Sequence, residues 1–200
     1  MSDAKTLRVY DARAAEYDAL VRPEKADTAL TAFVAALPGG ARVLDLGCGP
    51  GRAAAQMAEA GLHVEAVDAS AEMVALAGRH AGVTARQATF DQIEGHEIYD
   101  GIWANFCLLH AARADLPRHL AALAQALKPG GLFHIGMKLG TGEARDRIGR
   151  FYTYVGETEL LDMLRTAGLT PKSAGFGRDT GLDGTSADWI TVAAKARADG

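Results

Sequence analysis

Nine consecutive residues, Val-Leu-Asp-Leu-Gly-Cys-Gly-Pro-Gly at positions 43–51, restrict the fold of this 200-residue chain more than any other stretch. Val43 to Leu46 form a short apolar run of the kind that fills a buried strand. Three glycines follow at alternate positions, Gly47, Gly49 and Gly51, and Arg52 to Ala60 then resumes at helical spacing. Glycine is needed where backbone turns sharply or comes close to a ligand. A strand, a glycine turn and a helix N-terminus in that order make a cradle for a nucleotide.

The spacing separates two cofactor classes. A dinucleotide fingerprint requires Gly-x-Gly-x-x-Gly, whose third glycine would fall on Arg52. The order here is Gly-x-Gly-x-Gly, with Asp45 inside the strand end. This string resembles motif I of the class I S-adenosylmethionine (SAM)-dependent methyltransferases, whose common form is very close to LDLGCGPG. The resemblance implies SAM as cofactor and S-adenosylhomocysteine as product. It sets the cofactor's amino acid end against the loop that holds Cys48. The carboxylate would use backbone N–H groups near Gly49 or the N-terminal lid. The ammonium would use the carbonyls of Gly47 and Ala104, or a carboxylate such as Asp45.

Further marks follow in the same order. The run Val-Glu-Ala-Val-Asp-Ala-Ser at 64–70 ends its apolar part at Asp68. A carboxylate at the tip of a second strand can accept hydrogen bonds from both ribose hydroxyls of an adenosine. Ser70 suits the cap of a helix starting near Ala71, which leaves Asp68 for the ribose, with Ala69 and Met73 beside it. Val83 to Ala88 predicts a third strand, followed by Thr89-Phe90-Asp91. In the family this stretch flanks the adenine; Thr89 and Asp91 are both candidates for the exocyclic amine, and Phe90 either covers the ring or belongs to the core. Residues 99–111 resemble the fourth strand and its loop, which brings Asn105 to the site and closes with Leu-Leu-His. Leu116, Leu120, Leu123 and Leu127 mark one face of a helix over 113–127, with Lys128-Pro129-Gly130-Gly131 as its stop. These marks run from residue 43 to about 138. Ala104-Asn105-Phe106-Cys107 stands where amino-methylating DNA enzymes carry an Asn-Pro-Pro-Tyr-like stretch.

The alternation of apolar strands and amphipathic helices predicts an α/β fold, a mainly parallel sheet covered by helices on both faces. By resemblance the sheet is Rossmann-like with seven strands, the last antiparallel. One domain is expected over 1–200: an N-terminal helical lid at 1–30, a SAM-binding core at 41–138, a substrate-side loop at 139–156, and a C-terminal helix and strands at 157–196. A formal net charge of −4 without a basic block argues against a nucleic-acid partner. No apolar stretch approaches membrane-spanning length. Two cysteines, Cys48 and Cys107, read as reduced thiols of a cytoplasmic enzyme, either monomer or homodimer. No metal-ligand spacing is present.

The acceptor side is expected from two segments outside this core. In residues 7–22, Tyr10 and Tyr17 are seven apart and share a face of a helix; the resemblance makes this a lid over the cofactor. In residues 136–155, charged residues mix with Phe151, Tyr152 and Tyr154, and Arg150 with Tyr152 suits an anionic or polar substrate group. His110, just past the fourth strand, is the first candidate base, with Tyr10, Tyr17 and Tyr152 as rivals. His134 reads as core, and His63, His80, His96 and His119 as peripheral. The expected function is methyl transfer from SAM to an oxygen, nitrogen, sulfur or chalcogen atom of a small molecule. The alternatives are a SAM-binding sensor without catalysis, or a nicotinamide (NAD)-dependent oxidoreductase.

Overall fold

The computed structural model describes residues 3–20 and 27–198. Of the expected lid at 1–30, residues 1–2 and 21–26 lie outside the described residues, as do 199–200.

Seven strands form one sheet: β1 (Arg42–Leu46), β2 (His63–Asp68), β3 (Val83–Gln87), β4 (Tyr99–Asn105), β5 (Leu127–Lys138), β8 (Leu169–Thr180) and β9 (Ser186–Ala196). Their order is β3-β2-β1-β4-β5-β9-β8. The first five run parallel, and β9, the last strand in the chain, is antiparallel to both β5 and β8. A further hairpin, β6 (Glu143–Arg145) with β7 (Phe151–Thr153), occupies the segment expected to be a loop. That difference has a local cause: three residue pairs close an antiparallel ladder, and the Asp146 carboxylate accepts from the N–H groups of Ile148 and Arg150 to hold the turn between them.

Side chains of the central strands alternate between two cores. Leu44, Leu46, Ile102 and Ala104 face α6 (Leu116–Ala126) and α7 (Glu157–Thr166). Val43, Val64, Ala66 and Trp103 face α3 (Thr28–Ala35) and α4 (Arg52–Glu59), with Ala77 of α5 (Ala71–Ala77). Burial on both sides explains why these strands read as continuous apolar runs. Helix α3 was not anticipated, although Asp27 caps Ala29 and Leu30 and the apolar pair Leu30 and Phe33 faces the sheet. Helix α6 begins at Leu116 after a short 3₁₀ turn and stops at Ala126; Leu127 already pairs with Tyr99, so β5 starts where the helix was expected to end.

The chain order reverses between β1 and β4, which are neighbours in the sheet but distant in sequence. Crevices of this kind, beyond the carboxyl ends of strands, are where open α/β sheets bind ligands. Two N-terminal helices cover that crevice, α1 (Ala4–Ala12) and α2 (Ala14–Leu20), broken at Arg13 instead of forming one helix. No helix among the described residues is long and apolar enough to cross a membrane.

Candidate active site

One cleft lies over the β1–β4 switch point, and its wall is built from four strand ends and the N-terminal helices. The glycine turn forms its floor. Gly47, Gly49 and Gly51 have φ of 63°, 53° and 80°, a left-handed backbone that favours glycine. A side chain on Gly47 would overlap the Cβ of Cys107, and one on Gly49 would stand 3.4 Å from the Tyr17 ring. The turn is therefore packed from both sides and leaves its backbone edge to the cleft.

Asp68 ends β2 and fixes this turn. Its carboxylate accepts from the N–H of Gly49 (2.9 Å) and from the N–H of Ser70 (2.9 Å). Ser70 caps α5 at Met73 N, as its position suggested, and its hydroxyl also meets Asp11 at 2.5 Å. Burial raises the pKa of Asp68, opposed by those backbone donors. The carboxylate still faces the cleft, beside Ala69 and Met73. Phe90 lies on the same wall with its ring edge against His119 at 5.6 Å. That contact buries His119, which sequence had placed at the periphery.

Tyr10, Tyr17, Asn105 and His110 complete the cleft, and the two tyrosine rings meet edge to face at 5.3 Å across the helix break. A directional hydrogen-bond chain runs through His110. The Phe151 carbonyl can only accept, so His110 Nδ1 (2.6 Å away) carries the proton and Nε2 the lone pair. Tyr10 Oη, 2.9 Å from Nε2, donates to it and in turn accepts from Arg150 Nη1 at 3.0 Å. Burial pushes the His110 pKa down to about 4, and the nearby Arg150 and Lys138 charges add to this. His110 is therefore neutral near pH 7, with its lone pair turned toward a cleft-lining phenol.

Other candidates stand behind this wall. Asp45 is 2% exposed and faces the backbone N–H of Ala54 while its Oδ2 has no partner; burial raises its pKa to about 7. Cys48 is buried within its own turn, and Gly51 presses so close to Ala77 that a side chain would sit 2.7 Å from its Cα. Ala104 is enclosed in β4. Thr89 caps a 3₁₀ turn over Phe90–Gln92 through Gln92, and Asp91 pairs with Arg118 at 2.6 Å, outside the cleft. Tyr152 and Arg150 are also buried, one layer behind Tyr10: the Tyr152 ring is 4.7 Å from His110, and the Arg150 Cζ is 5.3 Å from the Tyr10 ring.

Sequence reasoning missed several parts of this wall. Phe106 lines the cleft with φ of 54°, a strained conformation at a strand end for which its residue type gives no signal. Asp3, Thr6 and Leu7 line it too. Asp3 binds Arg145 at 2.8 Å and Thr6 accepts from the Phe151 N–H at 2.8 Å, so with Tyr10 one face of α1 is fastened to the β6–β7 hairpin. Spacing of 3, 6 and 10 on one helix face was readable; the partner hairpin was not. His134 is core as expected, stacked on Trp103 at 3.6 Å.

Comparison with known proteins agrees with this geometry. A family described as "Methyltransferase domain" matches residues 43–131. Trans-aconitate 2-methyltransferase of Delftia acidovorans is 30% identical over 168 residues, 75% of this chain and 61% of the relative. Ubiquinone biosynthesis O-methyltransferase of Idiomarina loihiensis is 36% identical over 97 residues, 46% of this chain and 40% of the relative. The chain thus spans less than two thirds of these relatives. Among solved structures, the Burkholderia thailandensis 1,6-didemethyltoxoflavin-N1-methyltransferase, with bound 1,6-didemethyltoxoflavin and S-adenosylhomocysteine, is similar at a TM-score of 0.75 and 26% identity, covering 97% of this chain and 88% of that one.

Proposed function

Because this chain belongs to the class I SAM-dependent methyltransferases, we propose that it moves a methyl group from SAM to an oxygen, nitrogen, sulfur or chalcogen atom of a small molecule. The observation that carries the proposal is the sharing of one cleft by the left-handed glycine turn, the Asp68 carboxylate and His110. The cradle fits an adenosyl cofactor: Asp68 offers two oxygens at a strand tip, the Gly47–Gly49 backbone is open to the cleft, and Met73 and Phe90 give an apolar wall. Asp68 would hold the ribose, Gly47 and Gly49 the amino acid end, and Phe90 one face of the base, with Tyr10 and Tyr17 closing over them. Asn105 lies at the tip of β4 on the same wall.

Bound SAM supplies a methyl group already activated on a sulfonium. What the protein must add is orientation and exclusion of water, which together contribute up to ~10 kcal/mol in favourable systems. The cover fixed by Tyr10 and Tyr17 supplies both. Where the acceptor loses a proton, Tyr10 Oη takes it while passing its own proton to His110 Nε2, so His110 acts through Tyr10. Asp45 is assigned no ligand contact here, since its carboxyl is held within the core. Arg150 and Tyr152 act on the acceptor side, through Tyr10 and His110. A net charge of −4 supports a small acceptor over a nucleic acid, and two buried free thiols suit a cytoplasmic setting.

Parallel calorimetric titration with SAM, S-adenosylhomocysteine and NAD tests the cofactor. Micromolar binding of both adenosyl compounds and silence toward NAD is expected. Binding of NAD alone would overturn the proposal. Methyl transfer into a panel of small acceptors separates an enzyme from a sensor that binds SAM without turnover.

A further inference from the structure

The outer face of α1 carries charge that the fold leaves without a partner. Lys5, Arg8, Val9 and Ala12 recur at i, i+3, i+4 and i+7 and share one side of the helix. The other side, with Thr6, Leu7 and Tyr10, faces the cleft. Arg147 and Ile148, at the turn of the β6–β7 hairpin, stand across from the outer face, and Arg13 closes one end. Together they line a groove of about 530 Å³ that is open to solvent.

Lys5, Arg8 and Arg147 are exposed and make no hydrogen bond or ion pair with any described residue. Arg13 has one loose surface pair, to Glu16 at 3.6 Å. The acids nearby are committed elsewhere. Asp3 binds Arg145, Asp11 meets the Ser70 hydroxyl, and Asp146 binds Arg150. Among the described residues no carboxylate lines the groove. Four cations therefore gather on one strip of a chain whose formal net charge is −4. The hairpin also makes room for one of them. Gly149 has φ of 93°, and a side chain there would begin 2.5 Å from Lys5 Cε, so only glycine lets the lysine stem lie across the turn.

We propose that this groove docks an acidic, amphipathic segment of a partner protein, which bridges α1 and the β6–β7 hairpin from outside. Positions 5 to 13 of a helix span about 12 Å. Charge spread over that length suits several carboxylates in a row better than a single phosphate. Val9, Ala12 and Ile148 add an apolar strip, which matches the apolar edge of such a segment. Nucleic acid fits less well, because the groove presents no aromatic ring for a base and the apolar strip matches no phosphate backbone. A lipid surface fits less well too, because no exposed large apolar side chain stands here to insert. On its inner side α1 already closes on the hairpin through Asp3 and Thr6. A partner seated on Arg8 and Arg147 at once joins the same two elements and holds the cover of the cleft down.

The test is fluorescence anisotropy with a labelled helical peptide that carries glutamate on one face and leucine on the other. Its glutamine counterpart, an oligothymidylate, and vesicles of phosphatidylcholine with phosphatidylglycerol are run beside it. The glutamate peptide should bind at least about tenfold more tightly than the glutamine one, the sum of several surface ion pairs. Added salt should weaken it. Arg8→Glu/Arg147→Glu should cost about tenfold or more, whereas Lys195→Glu, exposed on β9, should leave it unchanged. Saturating peptide should slow release of S-adenosylhomocysteine severalfold from the wild type and not from the double variant. No peptide binding, equal binding of both peptides, indifference to the charge reversal, or tighter binding of oligothymidylate or vesicles would each overturn the docking. Binding that leaves S-adenosylhomocysteine release unchanged would overturn the bridging. Peptide binding is read on protein without cofactor, so it stands or falls apart from the methyltransferase reading.

Discussion

The two sides of the cleft are built in different ways. On the cofactor side the key contact joins the Gly49 N–H to the Asp68 carboxylate, only 19 positions away, across the ends of two adjacent parallel strands. On the acceptor side Tyr10 meets Arg150, Asp3 meets Arg145 and Thr6 meets Phe151, separations of 140, 142 and 145 residues, and all depend on side chains. The first arrangement follows once a strand, a turn and a second strand are in place. The second exists only when the whole chain has folded and α1 has docked on the β6–β7 hairpin. A local cradle with a remote cover lets the cover change its side chains without disturbing the cradle.

The hardest blow to this contrast is on the acceptor side. Arg150→Met leaves Asp146, whose side chain is 6% exposed, as a buried unpaired carboxylate. Loss of about 3–5 kcal/mol of stability is expected in denaturant titrations. The double variant Arg150→Met/Asp146→Asn should recover much of it, because it removes the stranded charge while the amide oxygen still accepts from the N–H groups at positions 148 and 150. Affinity for S-adenosylhomocysteine should survive in the double variant. If it vanished, the two sides would be one unit and the contrast would fail.

The matching blow to the cofactor side is Gly47→Ala. The added methyl would overlap the Cys107 Cβ, and φ of 63° is left-handed. Left-handed strain of about 1–2 kcal/mol and overpacking of about 1–3 kcal/mol act together. The variant should lose both stability and cofactor binding, read by thermal melting and calorimetry. A variant that binds normally would show that the turn does not form the cradle floor.

This difference also explains what was legible in the sequence. The Val43–Gly51 string, the apolar runs and the helix stops encode local backbone, so the parallel sheet and its strand ends were readable with bounds correct to a few residues. Asp68 and His110 were readable because they follow strands. Arg150 and Tyr152 were marked for an anionic or polar substrate group, but the contact of Arg150 with Tyr10 was not readable, since no spacing reports a contact across 140 residues. The strain at Phe106 and the burial of Asp45 were equally hidden: one is a backbone angle, the other depends on how tightly α4 packs over β1. The β6–β7 hairpin was masked by its charged composition, which belongs to a ladder instead of an open loop.

Asp68→Ala sharpens the cofactor side with a smaller effect. Each charge-assisted hydrogen bond to the ribose is worth roughly 1.5–3 kcal/mol. Affinity for S-adenosylhomocysteine should fall at least about tenfold, read by calorimetry. Asp68→Asn should fall less, since the amide oxygen still accepts from Gly49. Full affinity in Asp68→Asn with loss only in Asp68→Ala would mean that Asp68 serves the turn alone and does not touch the ribose.

The smallest effect separates the cradle's core from its surface, through pH. Burial holds the native pKa of Asp45 at about 7, above its ordinary carboxylate value, so the native state keeps a proton that the unfolded chain has lost. Between pH 6 and 7 this lowers stability by roughly 1 kcal/mol as pH rises. His110 and His134 act with the opposite sign. Burial lowers their pKa values to about 4 and about 3, so they are neutral in the native state while the unfolded chain is still shedding protons. Together they raise stability over the same interval by about as much as Asp45 lowers it. The wild-type profile should therefore be nearly flat from pH 6 to 7. Asp45→Asn removes only the falling contribution, so denaturant titrations should show stability climbing by about 1 kcal/mol across that interval. A profile identical to wild type would mean that Asp45 is ionised in the folded protein. It would then be free to meet the cofactor's ammonium from behind the cleft wall, and loss of affinity for S-adenosylhomocysteine in the same variant would establish that contact.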